Sequence, residues 1–321
     1  MTLSPNALMR HLRGEPNPMK IAGSRQKLQL RNMGYYHGYK GYRFVGEAGN
    51  RVDLHRFDEL LAIYDFDMEL KTLVYPEVMF IETALKNRVL EAVLEDARSE
   101  NFDIIFQRSM TGYRERLGKA YQKELERRLR CRDEVNRILL GNCSSSGDPV
   151  IWHFLGRGET VPIWAIFEKM TLGQFGAFYL TLKGSIKECV ASGLGLSKES
   201  DGAKALGTML FELKDLRNAV AHNKPIFDVR FKRQNPGQPL ARCVMLGTGV
   251  SGVTFSQITD YIVLVAYLMR CLGKTKTECK RFANAYLKLV NAYWELMPGD
   301  TAQKVAGSDV TKKMRQLLVG L

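Results

Sequence analysis

Residues 57–97 read FDELLAIYDFDMELKTLVYPEVMFIETALKNRVLEAVLEDA, and this stretch decides the fold class. Apolar residues recur in it at intervals of three and four, the spacing that puts side chains on one face of an α-helix. Proline lacks the N–H that a helix interior needs, so Pro76 is expected to divide the stretch into two long helices and to sit in the first turn of the second. A chain built around such a segment is mainly α.

Outward from this segment the helical pattern continues. Tyr113–Leu140 has it, with nine Lys or Arg against five acids between Arg114 and Arg137. Such a surplus marks either a solvated helix face or a surface that meets the RNA backbone. GNCSSSG, Gly141–Gly147, is a small polar break. After it come two short helical patterns, PIWAIFEKM and LGQFGAFYLTL, and then a long one from Ala203 to His222. Gly, Pro, Thr and Val between Phe227 and Phe255 point to a loop with a short β-hairpin. Two closing helices are expected near Gln257–Leu272 and Lys276–Leu296.

Towards the N-terminus, the first 20 residues carry three prolines and few apolar residues, and read as a mobile arm. The next segment starts helix-like at Ser24 and then gathers Tyr35, Tyr36, Tyr39, Tyr42 and Phe44 among glycines and basic residues. The expected organisation is therefore an arm over 1–20, an N-terminal helical lobe over 21–140 and a C-terminal helical lobe over 148–321. The two lobes are either separate or fused into one domain. No repeat of solenoid length is present.

The chain has 321 residues, 45% apolar and 25% charged, which is the composition of a globular protein that folds without a partner. Its 47 Lys and Arg outweigh 34 Asp and Glu to give +13, a balance that suits a polyanion such as nucleic acid. Six cysteines form no C-x-x-C pair and have no histidine in zinc-site spacing, so they read as reduced thiols, and no metal is expected. Trp152 and Trp164 are assigned to the core. Met1–Lys20 lacks the continuous apolar segment of a signal peptide and nowhere do roughly 18 apolar residues run together, so neither secretion nor a membrane span is expected, and the cytoplasm is the expected compartment.

FELKDLRNAVAHNKPIFD, Phe211–Asp228, is where chemistry concentrates. Leu206, Met209, Leu210, Leu213, Leu216 and Val220 form a stripe that should be buried. Asn218 and His222 lie four apart on nearly the opposite side. Arg217 sits about 140° from His222 on an ideal wheel, so a regular helix does not unite them. Asn223 and Pro225 are expected to stop the helix just after the histidine, and the long arginine stem can reach around.

RNAVAH has the R-N-x-x-x-H form of the R-x(4–6)-H signature of HEPN-type ribonucleases. Three further segments resemble the abortive-infection family of those proteins, in the same order. GYYHGYKGYRF is similar to its N-terminal Y-Y-x-x-x-x-Y element. YDFDMELKTLVYPEVMFIETALKNRV resembles its Y-x-F-D-x-x-L-R stretch and following I-E-x-x-L-R helix, with Lys71 and Lys86 where arginine is usual. VPIWAIFEKMTLGQFGAFY is similar to its P-x-W-x-x-x-E-x-x-x-x-G segment. The resemblance covers most of the chain and implies a HEPN-like helical bundle with additional helices.

It also implies a toxin-like phage-defence effector that cuts RNA without metal or cofactor, by attack of the 2′-hydroxyl on the adjacent phosphate to leave a cyclic phosphate. His222 would then act as acid or base, Arg217 would clamp the phosphate, and Asn218 would orient one of them. One such motif supplies a single histidine, whereas acid and base are best separate groups, which points to a homodimer that presents two motifs to one cleft. The partners implied are substrate RNA and, as in some relatives, a small structured RNA. Tyr35, Tyr36, Tyr39 and Tyr42 are candidates for base stacking, with Lys40 and Arg43 beside them for phosphates, although core packing is the commoner outcome for tyrosines. Glu82 and Arg88 are candidates for a supporting ion pair near the motif. The competing reading is a non-catalytic RNA-binding protein on the same scaffold. Nucleotidyl transfer is remote, because no G-S-x(n)-D-x-D acidic pair occurs, and a DNA-binding regulator is disfavoured by the lack of a helix-turn-helix pattern.

Overall fold

The computed structural model describes residues 4–14, 18–34, 38–196, 201–232 and 236–321. Among them are sixteen α-helices and no strand, and the protein is 72% helical. No helix among the described residues is long and apolar enough to cross a membrane.

Residues 1–79, 215–236 and 244–321 make one compact unit. At its centre is the helix Ile258–Cys271, in which every residue from Ile258 to Met269 is buried. A helix that is apolar all round has to be enclosed, and Lys276–Leu296 and Val310–Gly320 pack against it. The central helix ends in a left-handed Gly273 at φ 94°, with the Lys274 N–H reaching back to the Met269 carbonyl, a Schellman cap. Thr275 and Glu278 then start the next helix by capping each other's backbone N–H. Buried Asp260 accepts the backbone N–H groups of Thr254 and Phe255 and pairs with Lys313 at 2.6 Å, which fastens the last helix to the core.

Residues 80–214 and 237–243 make the second unit. Its core holds Phe167 against Phe175 and Phe178 in edge contacts of 5.5 and 4.9 Å, with Val89, Val93, Ile105 and Val135 also buried. Thr171 and Gln174 form a capping box, and Asn101 and Asp148 cap the helices Phe102–Arg108 and Pro149–Leu155.

Several expectations are corrected. Phe57–Ala97 is one helix of 41 residues with Pro76 inside it. Val74, Val78 and Ile81 are all buried, and their packing on both sides of the proline outweighs the lost backbone hydrogen bond. The expected hairpin is absent among the described residues. The middle of that region is instead the helix Gln238–Thr248, which buries Leu240, Cys243 and Val244 at helical spacing. The expected arm contains the helix Pro5–Gly14, with Leu8, Met9 and Leu12 buried. The division into units also differs from the two expected lobes, because the first unit draws on segments from both halves of the chain. Trp152 and Trp164 reach the surface, with 36% and 38% of their area exposed.

Candidate functional site

The motif helix is Gly202–Ala221. Leu206, Met209, Leu210, Leu213 and Leu216 are buried along one side, while Val220 is only half-buried and Ala219 takes its place in the core. Arg217 and Asn218 are half-buried, and an Nη of Arg217 donates to Asn218 Oδ1 at 3.2 Å. His222 is exposed and follows the last helical residue.

The helix stops where the sequence indicates. Asn223 is left-handed at φ 50°, its N–H bonds to the Val220 carbonyl, and the Lys224 N–H bonds back to the Ala219 carbonyl at 2.8 Å. This is the same Schellman cap that Gly273 makes, with asparagine in the left-handed position, which it tolerates better than most side chains. His222 is thereby placed at the turn that closes the helix.

A buried polar clamp holds that turn. Asp67, fully buried on the long helix, accepts the backbone N–H groups of Ile226 and Phe227 at 2.8 and 2.9 Å through one oxygen. Its other oxygen takes the Tyr42 hydroxyl and the Lys71 ammonium, each at 2.7 Å. Lys71 also donates to Asn223 Oδ1 at 2.8 Å, next to His222 in sequence. A carboxylate out of water needs this many donors, and here they come from three separate stretches of chain. Burial and the neighbouring Asp67 push the Tyr42 hydroxyl well above the usual phenol range, so it remains a donor.

The segment after the turn is equally constrained. Asp228 accepts from the Gly46 N–H at 2.7 Å and pairs with Arg230, whose guanidinium lies 4.1 Å from the Phe44 ring centroid and donates to the Phe44 carbonyl. Between them Val229 has φ 53°, a conformation that costs a β-branched residue and that the surrounding bonds enforce.

The tyrosine and glycine segment therefore builds the site from behind. Tyr42 stacks on Phe227 at 5.8 Å, and Tyr39 and Tyr42 are both buried. For these two the structure gives core packing, the commoner of the two expected outcomes, and not base stacking. Lys40 is exposed, and Arg43 is half-buried with its guanidinium over the Tyr39 ring. Tyr35 and Tyr36 lie outside the described residues.

Glu82 and Arg88 belong to the second unit and do not pair with each other. Glu82 pairs with Lys86 at 3.2 Å, whose ammonium also donates to the Met170 carbonyl, and exposed Arg88 lies 3.5 Å from Glu91. On the basic helix Gly118–Gly141, Arg127, Arg130, Arg132 and Arg137 are each engaged with an acid, the arrangement of a solvated face. Among the described residues no group of three or more His, Cys, Asp or Glu is placed to hold a metal ion.

Asp67 and Lys71 had no assigned role in the sequence, although both stand in YDFDMELK. The available signal was a carboxylate in the stripe Ile63, Asp67, Leu70, Val74, where every other member is apolar.

A mainly helical protein with an R-N-x-x-x-H motif at a clamped helix end is thus defined by its structure. The chain belongs to the Abi-like protein family, whose model matches residues 28–228. The matched region includes the tyrosine and glycine segment and ends at Asp228, within the constrained loop. Membership supports a role in abortive infection. No characterised protein and no solved structure matches the chain.

Proposed function

We propose that this protein is a HEPN-type endoribonuclease that acts as an abortive-infection effector, with Arg217, Asn218 and His222 as its catalytic group. The observation that carries the proposal is the end of the motif helix, where an exposed imidazole sits on a turn held by Asp67, Lys71 and Asn223. Precise placement of an acid or base is worth rate only if the backbone beneath it does not move, and this turn is bonded through Asn223 to Lys71 and through the Ile226 and Phe227 N–H groups to Asp67. Histidine gains and loses a proton near neutral pH and suits the transfer to or from the 2′-hydroxyl or the leaving 5′-oxygen. The Arg217 guanidinium would stabilise the charge that builds on the phosphate oxygens, and its bond to Asn218 orients it. Acid and base on separate groups call for two copies of the motif, so a homodimer belongs to the proposal, as does restraint of the activity by a small structured RNA.

His222→Ala is the test. It should abolish toxicity in cells and slow RNA cleavage by roughly 10²–10⁴-fold, the usual weight of general acid–base catalysis. As His222 is exposed, stability should change by no more than about 0.5 kcal/mol. A variant that stays toxic and binds RNA as before would instead favour the non-catalytic RNA-binding reading.

A further inference from the structure

On the long helix, Ala62, Phe66, Glu69 and Leu73 follow one another at intervals of four, three and four. On Lys276–Leu296, Ala285, Leu289, Ala292 and Leu296 do the same. This is the spacing of a helix seam, and in both helices it lines a single groove of about 660 Å³ within the first unit. Phe66 and Tyr293 stack at 4.6 Å to form its floor.

Two features suit the groove to a covering helix. Leu296 is 66% exposed, and Ala285 and Ala292 are exposed as well, so no helix among the described residues covers this seam of Lys276–Leu296. The alanines at 62, 285 and 292 keep the walls low, which lets another helix backbone approach closely. From Ala62 to Leu73 the groove runs roughly 16 Å, or three helical turns.

The rim indicates the charge of the occupant. Asp65 and Glu69 stand four apart on the long helix and Lys288 lies on the facing one, so the lining carries one net negative charge in a chain whose net charge is +13, and neither carboxylate has an ion-pair partner among the described residues. Like charges at this spacing oppose each other in an isolated helix, and partial burial together with Glu69 raises the Asp65 carboxyl above its ordinary value. A cation laid between them would remove that cost.

We propose that this groove is the docking site for an amphipathic α-helix of a partner protein, one that carries basic residues beside its apolar stripe. The proposal is independent of the ribonuclease reading. Occupancy would bear on the face of the long helix adjoining the one that presents Asp67 and Lys71 to the motif turn.

The test uses the full chain and two synthetic helical peptides with the same leucine stripe, one flanked by lysines and the other by glutamates, followed by fluorescence anisotropy. The lysine-flanked peptide should bind with a preference of about tenfold over the other. Asp65→Lys with Glu69→Lys should reverse the preference, and Ala292→Trp, a substitution at an exposed position, should abolish binding with the thermal midpoint unchanged. Equal affinity for the two peptides, or no saturable binding of the lysine-flanked one, overturns the proposal. So does light scattering that shows a dimer converted to monomer by Ala292→Trp, because the groove would then hold a second copy of this chain.

Discussion

Asp67 and Asn223 govern the candidate site, although neither is part of the R-N-x-x-x-H motif. Asp67 is the counter-charge for Lys71 and the acceptor for two backbone N–H groups, all out of water. Asp67→Asn leaves the Lys71 ammonium buried without its partner and should lower stability by ~3–5 kcal/mol, read as a fall in the urea midpoint. Asn223 has two separate duties, a left-handed backbone and a side-chain bond to Lys71. Asn223→Ala forfeits both and should cost roughly 2 kcal/mol or more, whereas Asn223→Gly keeps the conformation and loses only the bond. In urea titrations the glycine variant should therefore fall between the wild type and the alanine variant; equal losses for the two would mean that backbone conformation contributes nothing there.

Helical periodicity made the long helices readable, whereas short ones such as Phe102–Arg108, Gly184–Gly193 and Gly299–Ala306 offer too few turns to show a period. Pro76 signals a break by its own chemistry, yet the helix runs through it because Val74 and Val78 are buried on either side. The proline is thus a local cost that packing overrides. Pro76→Ala restores an N–H to the ladder and should raise stability by about 2 kcal/mol, less than the full interior penalty because proline also restricts the unfolded chain. Calorimetry reporting a lower melting temperature would show that the ring itself packs usefully. Gln238–Thr248 erred the other way, since its Gly, Pro and Thr suggested a turn while Leu240, Cys243 and Val244 already had helical spacing. Gly247 is needed there for closeness, because a Cβ would come within 2.3 Å of the Tyr267 ring.

At the scale of the molecule, the excess of 13 positive charges is the property that the proposed RNA partner would meet. If RNA is bound through its phosphates, affinity should fall linearly on a log–log plot against salt, with a slope near −0.7 for each phosphate neutralised on a single strand. Anisotropy titrations of a single-stranded RNA across a salt series give that slope, and a flat line would remove electrostatics from the account. Local chemistry was enough to settle the helical class and the stop after His222, because those depend on neighbours within a few residues. Tertiary structure alone decided that Tyr42 is a strut behind the site, that Asp67 is its anchor, and that Glu82 and Arg88 have different partners. The reason is distance along the chain. The Tyr42–Asp67 bond spans 25 residues and the Asp67–Ile226 bond spans 159, and no periodicity records which remote segments will be pressed together to exclude water.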